Sequence, residues 1–151
     1  MSKARNKCIL IVEDEPGDAR LLRLALKQSG HMLDLHEAGD GHEALRFLRR
    51  EGEPGESPGT TPRPDLILLD LKMPGQGGLE FLDAIKQDPR LRGIPVVIVT
   101  TSALEADVLV AYQRGVAGFV GKPADLTEFI ATIGRLCHYW FARVRLPETA
   151  E

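Results

Sequence analysis

Five polar residues stand where short apolar runs stop. Glu13 and Asp14 follow the run 8–12, Asp70 follows 66–69, Thr100 follows 96–99 and Lys122 follows 117–121. Three carboxylates brought together repel one another, and their pKa values rise unless something compensates. A hard divalent cation does so, because Mg²⁺ takes one or two carboxylates, several waters and a phosphate oxygen. A carboxylate is also a nucleophile toward phosphorus, giving an aspartyl phosphate. The spread charge of the incoming group then needs partners: the cation, the Lys122 ammonium, the Thr100 hydroxyl and loop N–H groups beside Asp70. Singly, these residues have plainer readings. Asp14 would serve as a helix cap before Pro16, Asp70 as the cap of a turn and Thr100 as a β-former at a strand end. The five together outweigh those readings and point to a phosphoryl acceptor.

The elements that must position them follow from the apolar pattern. The unbroken runs CILIV (8–12), LILL (66–69) and VVIV (96–99) suit strands buried on both faces of a parallel sheet. MLDLHE (32–37) alternates as a half-exposed edge strand does, and AGFVG (117–121) is a short fifth strand. Helical patterns lie between. Pro16 opens the first, with Leu22, Ala25 and Leu26 on one face and Gly30 as its stop. Asp40 and Glu43 form a capping box before ALRFLRR. LEFLDAIKQ (79–87) ends at Asp88-Pro89, EADVLVAYQRG stops at Gly115, and DLTEFIATIGRLCHYW opens at Asp125 with Glu128 three later.

Strict β-α alternation predicts an α/β fold, a doubly wound parallel sheet with helices on both faces. All strand C-termini then share one edge, where open α/β sheets bind ligands. GEPGESPGTTPRP (52–64), with four prolines and three glycines, reads as a loop entering at the opposite edge, away from the site.

The 151 residues suit one domain, and 43% apolar with 27% charged residues suits an ordinary globular one. A net charge of −3 without a basic run gives no footprint for nucleic acid or a membrane surface. No apolar stretch approaches the roughly 18 residues of a membrane span. The apolar run 8–12 is too short for a signal peptide, so a cytoplasmic location is expected. Cys8 and Cys137 make neither a disulfide framework nor a metal pattern and read as buried thiols in a reducing compartment. His31, His36, His42 and His138 lack metal spacing and read as surface or helix residues.

ILIVEDEP, LILLDLKMPG, IPVVIVTTS and VAGFVGKP, in this order and spacing, resemble the four motif blocks of the receiver domain of two-component response regulators. The resemblance covers residues 6–138. It implies a flavodoxin-like (βα)5 fold with strand order 2-1-3-4-5 and no conventional enzyme activity. It also implies a phosphoryl group taken from a histidine kinase by Asp70, with Mg²⁺, or Mn²⁺ in its place. Glu13, Asp14, Asp70 and the main-chain carbonyl of Lys72 would be the metal ligands. Thr100, Phe119 and Lys122 fall at the phosphate-binding and switch positions, Lys122 preceding a cis proline at Pro123. Activation would draw Thr100 toward Asp70. The side chains of Lys72 and Ser102 would flank the attacking water and tune dephosphorylation. Glu13 stands where the family often has Asp, and Phe119 where it often has Tyr; as a residue, Phe119 reads equally well as plain core.

The loop 52–64, the VVIVTTS block and the tail HYWFARVRLP resemble stand-alone regulators of cyanobacterial and bacterial phytochromes. That resemblance implies a bacteriophytochrome-type kinase as partner and a homodimer built on the tail 139–151. Tyr139, Trp140, Phe141, Val144 and Leu146 are the residues of such an arm, and the plainer reading is a last helical turn folded back on the domain. Two other functions fit parts of the pattern. An Mg²⁺-dependent phosphatase with an aspartate nucleophile usually carries an acid two residues on, where this chain has Lys72. A receiver serving only as a binding module would not need the full set of acids, Thr100 and Lys122.

Overall fold

In the computed structural model the described residues are 6–49, 62–71, 77–101 and 105–143. Most of the loop 52–64, together with Lys72, Ser102, Val144 and Leu146, lies outside them. The elements alternate: β1 (Lys7–Val12), α1 (Pro16–Lys27), β2 (Leu33–Ala38), α2 (Gly41–Leu48), β3 (Leu66–Leu69), α3 (Gly78–Gln87), β4 (Val96–Thr100), α4 (Glu105–Gln113), β5 (Gly118–Gly121) and α5 (Leu126–His138). The five strands pair in parallel in the order β2-β1-β3-β4-β5.

Two-residue periodicity sorts the unbroken runs into two cores. Leu10, Val12, Ile67, Leu69, Val96 and Ile98 face α2 and α3, where Leu45, Phe81, Leu82 and Ile85 fill the space. Ile9, Ile11, Leu66, Leu68, Val97 and Val99 face α1 and α5, against Leu22, Leu26, Phe129 and Ile133. Thus an unbroken apolar run is what a strand between two helical layers requires.

The predicted caps form. Asp40 accepts from the Glu43 N–H at 2.8 Å while Glu43 reaches back to the Gly39 N–H at 2.9 Å. Asp125 accepts from the Glu128 N–H at 3.2 Å. At α1 the cap is Glu15, accepting from the Gly17 N–H at 2.8 Å, so Asp14 is released from that duty. Gly30 and Gly115 take φ of 87° and 86°, a conformation glycine reaches without a Cβ penalty.

α5 is shorter than the sequence pattern suggests. It ends at His138 and passes into one π turn, Tyr139–Arg143. Trp140 and Phe141 pack there against the α1/α5 core, continuing the buried stripe Ile133, Cys137. No cis peptide bond occurs among the described residues, so the expected cis bond before Pro123 is trans here. The isomers of an X–Pro bond differ by only about 0.5–1 kcal/mol, and residue identity alone does not choose between them.

Candidate functional site

Backbone hydrogen bonds carry the sheet's ladder past the strand ends and set the site residues on one edge. The Glu13 N–H donates to the Ala38 carbonyl at 3.0 Å, the Asp70 N–H to Val12 at 3.0 Å, and the Lys122 N–H to Thr100 at 2.8 Å. At the other end of β3 the Asp65 N–H donates to the Cys8 carbonyl, and the Cys8 N–H donates to the Asp65 carboxylate, both at 2.8 Å. These ties fix the register that brings Asp70 beside Val12 and the acids after it.

Carboxylate oxygens of Glu13, Asp14 and Asp70 lie within 4.8 Å of one another. Glu13 is buried, Asp70 half-buried and Asp14 exposed, so the cluster opens to solvent on one side. Burial pushes the Glu13 carboxyl up to about 7; the Lys122 ammonium opposes this, and the nearby Asp70 adds to it. Such a group is an incompletely compensated buried charge. An all-oxygen donor set carrying excess negative charge suits a hard divalent cation, so these three residues fit Mg²⁺ or Mn²⁺.

Thr100 is fully buried, and its hydroxyl donates to Asp70 Oδ1 at 2.9 Å. The hydroxyl is thus turned to the acceptor carboxylate. Lys122 Nζ lies 2.9 Å from Glu13 Oε1 and 3.5 Å from Asp18 Oδ2. Burial works against its charge, but the hydrogen bond and charge of Glu13, helped by Asp18 and Asp70, hold the ammonium above the usual lysine range. Phe119 is half-buried and packs against the α2/α3 core. His31, His36, His42 and His138 take no part in the acidic cluster. Tyr139 is exposed.

The backbone of Asp70 and Leu71 is held close to α3, where the Gly78 N–H donates to the Leu71 carbonyl at 3.3 Å. A Cβ at Gly78 would lie 2.7 Å from Leu71 Cα and 2.9 Å from the Asp70 carbonyl oxygen. Only glycine lets the first turn of α3 approach the acceptor's own backbone this closely. The sequence reading missed Gly78 and Asp18. The signal for Gly78 was the Gly77-Gly78 pair opening a helix. Asp18 carries no distinguishing signal, because an acid in the first turn of a helix is favoured by the dipole alone.

The protein-family model for the response regulator receiver domain matches residues 9–134. The chain belongs to the response regulator receiver family. The response regulator Rcp1 of Synechocystis sp. is 40% identical over 141 residues, covering 93% of each chain. The structure of the phosphorylated cyanobacterial phytochrome response regulator RcpA superposes with a TM-score of 0.87 at 38% identity, covering 95% of this chain and 100% of that one. The Mn²⁺-bound form of Rcp1 gives 0.84 at 39% identity, covering 94% and 99%. This receiver has the flavodoxin-like strand order of its family. No helix among its described residues is long and apolar enough to cross a membrane.

Proposed function

We propose that Asp70 of this receiver accepts a phosphoryl group from the phosphohistidine of a two-component histidine kinase, with a divalent cation held by Glu13, Asp14 and Asp70. The observation that carries the proposal is the convergence of the three carboxylates within 4.8 Å, with the Thr100 hydroxyl 2.9 Å from the acceptor oxygen. In the transfer an Asp70 carboxylate oxygen forms the new P–O bond. The P–N bond of the phosphohistidine breaks, and its electron pair stays on the imidazole nitrogen, which takes up a proton. Bound Mg²⁺ would supply charge neutralisation at the carboxylates and at one phosphoryl oxygen. The Thr100 hydroxyl would turn its proton from Asp70 Oδ1 to a second oxygen. Lys122 would leave its carboxylate partner for a third.

The main-chain carbonyl of Lys72 is the further metal ligand we assign, and the side chains of Lys72 and Ser102 are assigned to tuning the lifetime. Phe119 would act in the switch from its half-buried place. The chain would be an acceptor that sheds its own phosphoryl group rather than a conventional enzyme. Likeness to the phytochrome response regulator RcpA supports a phytochrome-type kinase as donor, and we place the transfer in the cytoplasm. We also assign a homodimer, for which the exposed Tyr139 rather than the packed Trp140 and Phe141 offers contact area.

Phosphotransfer from a panel of autophosphorylated histidine kinases, including a phytochrome kinase, tests this reading. Fastest transfer from the phytochrome kinase, absent in Asp70→Asn, is expected. Faster transfer from an unrelated kinase would overturn the phytochrome assignment, and transfer to Asp70→Asn would overturn the acceptor.

A further inference from the structure

Lys122 stands between two carboxylates of unequal roles. Its Nζ is 2.9 Å from Glu13 Oε1, and Glu13 belongs to the trio that fits a cation. The remaining Glu13 oxygen, Oε2, accepts from the Glu15 N–H at 3.3 Å. A divalent ion approaching Glu13 therefore meets an ammonium already seated there, and their like charge pushes the two apart. The second carboxylate is Asp18, in the first turn of α1, with Oδ2 3.5 Å from the same Nζ. Asp18 is not among the acids whose oxygens cluster with Asp70. It is also 40% exposed at the side chain, whereas Lys122 is 10% exposed and Glu13 3%.

We infer that Asp18 is the resting partner of Lys122 once a cation holds Glu13. It is a positioning residue that takes the ammonium off the metal ligand yet keeps it docked beside Asp70. This rests on the metal role assigned to Glu13. Without Asp18 no other carboxylate outside the metal cluster pairs with Lys122 among the described residues, so the ammonium stays on Glu13 and opposes the ion. Metal binding is then coupled to the first turn of α1 through one lysine.

Calorimetric titration of the metal-free protein with Mg²⁺ at 0.15 M salt tests this, using Asp18→Asn, Asp18→Glu, Lys122→Gln and the double variant Asp18→Asn/Lys122→Gln. Circular dichroism confirms that each is folded. Asp18→Asn should weaken Mg²⁺ binding roughly three- to fivefold, the upper scale of an exposed ion pair. Asp18→Glu should restore most of it. In the Lys122→Gln background the Asp18→Asn loss should shrink to about twofold or less, because only screened long-range charge remains. An equal loss in both backgrounds would overturn the inference, as would Asp18→Asn binding Mg²⁺ as tightly as the unmodified chain. If the unmodified chain shows no saturable Mg²⁺ binding, the metal site itself fails, and this inference with it.

Discussion

Burial sets the behaviour of Glu13. Its carboxyl is raised from 4.5 to about 7, so the folded chain holds that proton more tightly than the unfolded chain. Stability from this group is therefore present at low pH and declines as pH rises from about 4.5 to about 7. The loss is on the order of 2–3 kcal/mol at 1.36 kcal/mol per pKa unit. Urea unfolding of the metal-free protein at pH 5 and pH 7.5, compared with Glu13→Gln, isolates the effect. The variant should gain on the unmodified chain by about that amount between the two pH values, and saturating Mg²⁺ should remove the advantage. At this scale the acceptor set was legible, because strand-end residues of different runs must meet at one edge. The partner of Lys122 was not. Which of several acids an ammonium selects depends on side-chain reach from α1, and strand spacing says nothing of that.

At the scale of elements, the strands and caps followed from local rules, since an unbroken apolar run and a capping acid three residues before an N–H donor are local properties. Asp14 shows where such rules are ambiguous: Glu15 and Asp14 both precede Pro16, and backbone geometry gave the cap to Glu15. The junction of α5 and the tail was less legible, because the π turn arises where Trp140 and Phe141 find room against α1 and α5. The α3 junction is the sharpest element-level test. Gly78→Ala drives a methyl into Leu71 Cα and the Asp70 carbonyl. It should cost about 1–3 kcal/mol, the usual penalty of overpacking. It should also slow phosphorylation from acetyl phosphate, since relief of the clash moves the acceptor's own backbone. Thermal unfolding and labelling kinetics on the same sample check both parts, and a variant with unchanged stability and labelling rate would contradict the close approach.

The whole molecule is a sheet closed on both faces by helices, with its chemistry confined to one edge and its thiols in the interior. Cys8 and Cys137 are both buried, and neither belongs to a disulfide. Burial pushes the Cys137 thiol up to about 11, so thiolate at pH 8 is scarce in the folded state. Native protein at pH 8 should resist iodoacetamide, while protein in denaturant should gain two carbamidomethyl groups by intact mass. Rapid native labelling of Cys137 would show that α5 opens far more readily than its packing implies. The central claim concerns the edge. Incubation with acetyl phosphate and Mg²⁺, followed by intact-mass spectrometry, should show addition of one phosphoryl group, lost with chelator and absent in Asp70→Asn. Equal labelling of Asp70→Asn, or full labelling in excess chelator, would contradict the account.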